Sequence, residues 1–261
     1  MPSPLTFLFL ILAAGVAGFI DGAVGGGGLI SVPALFLAFS GKNTPTTTLL
    51  GTNKIVACTG TTFAAAQFVR SGIVPFREMI LPMLGAGLGA VLGAKAAYVF
   101  EGRFETQMRP VMLVMMVGML LFTFFKPRMG AEHAPKHSAG GRAALALFLS
   151  LGIGFYDGFF GPGTGALMIF CFVALLGFDF LRASALSKTA NWASNIASLV
   201  FFMSKGSWLP VVAFSMAAAN GLGGYLGART ALAKGSRWLR ALFTLVVAGL
   251  IIRLAWEMVK R

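Results

Sequence analysis

Gly18-Phe19-Ile20-Asp21-Gly22-Ala23-Val24-Gly25, continued by Gly26-Gly27-Gly28, decides how this chain is read. An aspartate closes an apolar run, and a run of glycines follows it. The pattern returns 136 residues later as Gly154-Phe155-Tyr156-Asp157-Gly158-Phe159-Phe160-Gly161, again followed by glycines in Pro162-Gly163-Thr164-Gly165. Such self-similarity makes the architecture a repeat before any element is assigned.

Working outward, Asn53-Lys54 at the start of an apolar segment is echoed by Ser187-Lys188, 134 residues on. The same offset lays Gly87–Ala97 on Gly221–Ala231 with seven of the eleven positions identical. Two homologous halves, 1–125 and 142–261, follow. Residues 126–141 hold two prolines and four glycine or serine residues and read as a solvated cytoplasmic linker. Both histidines, His133 and His137, lie there. A segment so rich in Pro and Gly is a poor helix, which disfavours their i, i+4 spacing as a metal or proton-relay pair.

Of 261 residues, 57% are hydrophobic and 11% charged, against about a quarter charged in ordinary soluble domains. A soluble fold of this size has too little polar side chain to cover itself, so lipid is the solvent. The net charge of +13 comes without a basic run, which reads as loop charge meeting lipid head groups rather than as nucleic-acid binding. The first apolar run lacks a positive n-region and a cleavage pattern, and is expected to stay in the mature chain. Cys58 and Cys171 fall inside apolar segments as small core residues.

Each half follows one hydrophobic plan. Leu5–Ile20 is apolar, Asp21–Gly28 is a glycine-rich break and Leu29–Ser40 is a short segment; Leu49–Val69, Met79–Phe100 and Met108–Phe125 are full spans. The second half repeats this with Ala143–Tyr156, Leu167–Gly177, Ala185–Met203, Trp208–Leu232 and Leu239–Trp256. The predicted fold is an all-α integral membrane bundle of about 8–10 hydrophobic segments. It comprises two inverted repeats, each with a broken or re-entrant helix pair plus three spans. Broken backbone at membrane depth is tolerated only where protein or a polar cavity satisfies it, and paired breaks in two halves point to a transporter's binding site. Eleven Lys and Arg against seven, Lys188 among the eleven, make the linker side cytoplasmic with both termini outside.

Of eight acids, only Asp21 and Asp157 lie well inside apolar sequence. An ionisable group at that depth costs about 3 kcal/mol or more and normally faces a partner or a cavity. Lys54 and Lys188, also repeat-equivalent, are the natural partners. The structural alternatives are a purely load-sharing Asp–Lys pair, or an Asp capping the helix that leaves the glycine run. The glycine turns can aim several N–H groups at one point, and the following helix N-termini add positive potential. Gly26, Gly27, Gly163 and Thr164 would thereby cradle an anion without metal or cofactor. Thr52, Asn53, Ser187, Asn191 and Asn195 are candidate neutral hydrogen-bonding groups, with interhelical glue as the alternative for Asn191 and Asn195. Gly85, Gly89 and Gly93, and Gly223 with Gly227, make flat faces for close packing. Lys95 and Arg229 on the same helices read as snorkelling side chains.

The paired motifs resemble the TauE/SafE family of sulfite exporters, also called toluene sulfonate uptake permeases, closest to its YfcA-like branch. Thr52-Asn53-Lys54 and Lys188 extend the likeness over essentially the whole chain. The resemblance implies a multi-pass inner-membrane permease for anions such as sulfite, sulfonates or sulfoacetate. It implies substrate contact by Asn53, Lys54 and Lys188, and gating or proton coupling by Asp21 and Asp157. The functional expectation is secondary transport of a small anion, with no nucleic-acid partner and a homo-oligomer left open. A passive anion channel is the alternative. An intramembrane aspartyl protease would also use two buried carboxylates, but the Gly-x-Gly-Asp sequence is absent.

Overall fold

The computed structural model describes residues 3–39, 44–100, 130 and 133–259, with side chains through 246 and at 248, 249 and 252. It has helices α1 (Pro4–Val24), α2 (Gly28–Ala38), α3 (Thr46–Ser71), α4 (Phe76–Val99), α5 (Ala139–Phe159), α6 (Thr164–Leu176), α7 (Phe180–Ser204) and α8 (Pro210–Val259). The predicted span Met108–Phe125 and linker residues 126–129 and 131–132 lie outside the described residues. Gly235, with φ 74° and ψ −173°, interrupts α8 between the two spans predicted there. Ser236 beside that break donates to Asp179 Oδ1 at 3.0 Å. Asp179 is the N-cap of α7, accepting from the amides of Leu181 and Arg182.

Both broken segments run longer than their hydrophobicity implies. α1 continues through Asp21-Gly22-Ala23-Val24 before Gly25 (φ 80°) stops it, and α5 carries Asp157 in its last turn. At 21 residues each, α1 and α5 are long and apolar enough to cross a bilayer, whereas α2 and α6, of 11 and 13 residues, are too short. α2 folds back along α1: Gly27 lies against Ala17, and Leu35 and Phe39 pack with Leu10 and Ala14. α6 returns along α5 in the same way, and the described linker residues close the corner, with Ala134 N bonded to Gly177 O. His137 Nε2 sits 3.2 Å from Leu175 O and Lys136 donates to Ala174 O. The linker's end is thus tied over the carbonyl end of α6 while its side chains stay exposed.

The halves interlock. α4 lies on α5 through Gly85, Gly89 and Gly93, where any Cβ would strike the main chain at Leu147, Leu151 and Phe155. α8 lies on α1 through Gly223 and Gly227, against Gly15 and Phe19. The first helix of each half is therefore held by the last described helix of the other, at matching residues. Removing Cβ lets backbones approach, which replaces the hydrophobic drive that helices lack within lipid. The opposite face of α4 presents Leu84, Leu88 and Leu92, between 54% and 63% exposed, as a lipid-facing surface would. Lys95 and Arg229 also face outward.

Direction follows from the contacts. Leu209 meets Thr52 at the start of α3, and Asn220 meets Gly60 further along, so α3 and α8 run parallel. α3 and its counterpart α7 run antiparallel, because Lys54 lies by Asn195 while Thr62 lies by Trp192. The two halves point in opposite directions, and their glycine turns meet: Gly25 packs on the backbone of Gly165 and Ala166.

Candidate functional site

The lysines come from the N-terminal halves of α3 and α7, and the aspartates from the ends of α1 and α5. Interlocking crosses the pairs. Lys54 Nζ is 2.9 Å from Asp157 Oδ2 of the other half and donates to the Asp157 main-chain oxygen at 2.7 Å. Lys188 donates to the main-chain oxygen of Asp21, and its Nζ is 4.0 Å from Asp21 Oδ2. Each lysine thereby caps the carbonyl end of the opposite half's first helix, where a cation meets the negative end of the helix dipole. The Lys54 and Asp157 side chains are both only 4% exposed, so each charge depends on the other.

The glycine turns set the other wall. Gly25, Gly26, Gly161 and Gly163 all have φ between 80° and 97°, a region that side chains disfavour. Gly163 serves as N-cap of α6 with no side chain covering the first amides, and Gly27 does the same for α2. Asp21 Oδ1 takes the Gly27 amide at 3.3 Å, the capping role weighed for it as an alternative. Thr164 Oγ1 donates to Gly161 O, Ser187 Oγ to Gly165 O, and Tyr156 Oη to Pro162 O. These bonds pin the second turn.

Between the turns and the lysine helices lies a small cavity of about 30 Å³, room for about one or two water-sized spheres. Asp21, Gly26, Gly27, Asn53, Lys54, Asp157, Gly163, Thr164, Asn191 and Asn195 all line it, so ten of the thirteen candidate positions share one cavity, and Thr52, Ser187 and Lys188 stand outside it. Lys188 does not line it. Its side chain is 0% exposed and sits behind Asp21, which also removes it from the loop charges and leaves ten against seven. Thr52 is spent on helix contacts, donating to Thr48 O and accepting from Leu209 N. Asn195 bonds Lys54 and Asn191 and also lines the cavity. Asn53 Oδ1 is buried without a hydrogen-bond partner, and an unmet buried acceptor costs about 1–3 kcal/mol.

Sequence reasoning missed two residues. Asn220 on α8 lines the cavity and donates to Ala14 O at 2.8 Å; a lone Asn among alanines and glycines was the available signal. Ser194 donates to Asp157 Oδ2 at 2.7 Å, and nothing in an α7 rich in serine and threonine singles it out. Among the described residues no cluster of three His, Cys, Asp or Glu side chains gathers that would hold a metal.

A helical membrane bundle whose two opposed half-helix N-termini close on one polar pocket has an architecture that membrane transporters use. The chain belongs to the family Sulfite exporter TauE/SafE, whose model matches residues 10–254. It is 37% identical to "Probable membrane transporter protein ORF9" of Sinorhizobium sp over 94% of this chain and 91% of that one. It is 34% identical to "Probable membrane transporter protein YfcA" of Escherichia coli K12, over 98% and 92%. A "Probable membrane transporter protein" of Haemophilus influenzae shares 36% identity over 88% and 87%. No solved structure matches it. The chain is a multi-pass membrane protein of a transporter family.

Proposed function

We propose that this protein is a secondary transporter of a small sulfur-containing anion such as sulfite, a sulfonate or sulfoacetate. It works in the bacterial inner membrane with the linker in the cytoplasm, and moves protons with the anion. The observation that carries the reading is the cavity itself. Two helix N-termini, that of α6 without a side-chain cap and that of α2 with Asp21 on its Gly27 amide, meet the Lys54 ammonium at one small cavity, and that combination recognises a compact negative charge. The side-chain amides of Asn53 and Asn191 supply neutral hydrogen bonds, which suit an oxyanion released as readily as it is bound. Lys188 supports the site from behind Asp21.

Proteoliposomes loaded with buffer and given radiolabelled sulfite or sulfonates test the reading. Wild-type protein is expected to take up one of these anions above protein-free liposomes. Lys54→Ala is expected to slow that uptake about tenfold or more, the worth of a hydrogen bond to a charged group. Undiminished uptake by Lys54→Ala and Lys188→Ala together would remove the site from consideration.

A further inference from the structure

The two Asp–Lys pairs are repeat-equivalent, yet their surroundings differ. Ser194, whose hydroxyl reaches Asp157, corresponds at the 134-residue offset to Gly60, which has no side chain. Asn191 and Asn195 correspond to Ala57 and Thr61. Lys54 lines the cavity and Lys188 does not. We propose that the pairs have divided their labour: Asp157 is the proton carrier and Ser194 its hydrogen-bond switch, while Asp21 with Lys188 is a fixed brace. This rests on the transport reading above and names the group that does the coupling.

Charge counting comes first. Two lysines and two aspartates leave the site neutral, so an anion entering alone leaves one uncompensated negative charge at depth, at a cost of several kcal/mol. A proton entering with it restores neutrality. The anion takes the place of the Asp157 carboxylate at Lys54 Nζ, and the carboxylate takes up one proton from the open side. Release reverses both steps, so atoms and charge balance without any further reactant.

The choice of carboxylate follows from the hydrogen bonds. Ser194 Oγ has two acceptors in reach, Asp157 Oδ2 at 2.7 Å and Asn191 O at 2.9 Å, and only one hydrogen to give. With Asp157 ionised, the hydroxyl serves the carboxylate. With Asp157 protonated, it turns to Asn191 O and its lone pair accepts the new Asp157 hydroxyl. Both protonation states are therefore satisfied without moving a helix. Lys54 is the charged group facing Asp157 from α3, with Asp21 of α1 and Lys188 of α7 on the far side of the turns. α4 brings Ala90 against Gly158, its Lys95 faces outward, and α6 contributes Thr164. Asp21 has no such switch. Its Oδ1 takes the Gly27 amide and its carbonyl takes Lys188, and among the described hydrogen bonds no hydroxyl meets its Oδ2 to accept from a proton placed there.

The test uses proteoliposomes with a pH-sensitive dye in the lumen, a sulfonate that the wild type carries (methanesulfonate, a fully ionised monoanion that brings no proton of its own) outside, and protein-free liposomes as the leak control. Anion uptake by the wild type is expected to acidify the lumen with one proton per anion. In Asp157→Asn the anion flux that persists is expected to bring no proton. In Asp21→Asn the remaining flux, scaled to folded protein, keeps its proton. Ser194→Ala is expected to shift the pH midpoint of transport, and Ser194→Thr, which restores the hydroxyl, to bring it back. Acidification persisting in Asp157→Asn, loss of coupling confined to Asp21→Asn, or an unshifted Ser194→Ala profile overturns the assignment while transport stands. Absence of anion flux in the wild type overturns the transport reading and this inference with it.

Discussion

Removing the two members of the Lys54–Asp157 pair should not cost the same. With Lys54→Met, the Asp157 carboxylate, 4% exposed, keeps only the Ser194 hydroxyl among its described side-chain partners. A buried charge stripped of its counter-ion costs about 3–5 kcal/mol. With Asp157→Asn, the Lys54 ammonium still has the residue-157 carbonyl at 2.7 Å and Asn195 Oδ1 at 3.4 Å. The loss then is closer to one charged hydrogen bond, about 1.5–3 kcal/mol. At about 2–4 °C per kcal/mol for a chain of this size, Lys54→Met should lower Tm by about 10 °C and Asp157→Asn by about 5 °C. The double variant, which leaves no orphaned charge, should recover most of the difference. Thermal unfolding in detergent, followed through the four tryptophans, measures all three. Equal losses in the single variants would refute the uneven dependence, and a double variant equal to their sum would refute the idea that the pair's charges lean on each other.

Three further outcomes follow from the fold. Gly93→Ala drives a Cβ into the Phe155 carbonyl and should cost about 1–3 kcal/mol. Gly152→Ala, at an exposed α5 position with open space around it, should gain up to about 1 kcal/mol from helix propensity; Tm values of the same sign for both would contradict the helix contact. Asp179→Ala removes an N-cap that also holds Ser236 and should cost about 1–2 kcal/mol, whereas Asp179→Asn should keep most of it, again read as Tm.

How much of this was legible from residues alone can be traced position by position. The repeats were visible because Gly18 and Gly154 are required by contact, each facing a backbone that leaves no room for a Cβ. The helix ends were misplaced by a turn at Asp21 and Asp157, since a charged residue reads as a break in hydropathy even where it stays helical. α3 and α7 carry so much Thr, Ser, Asn and Lys that neither is among the helices apolar enough to span by composition; their apolarity is low because they wall the cavity. That each lysine serves the opposite half could not be read, because the repeat pairs Asp21 with Lys54 as readily as with Lys188. Nor does sequence symmetry reveal that Lys188 is sealed behind Asp21 while its twin is open to the cavity.

The interlocking of the halves has a consequence for biogenesis. α1 leaves the ribosome first, and the helix it packs against, α8, leaves last. Until then its glycine face has no partner, and Asp21 waits in the lipid for Lys188, made 167 residues later. A nascent chain that ends before Lys188 would carry Asp21 without the counter-ion that the folded bundle gives it.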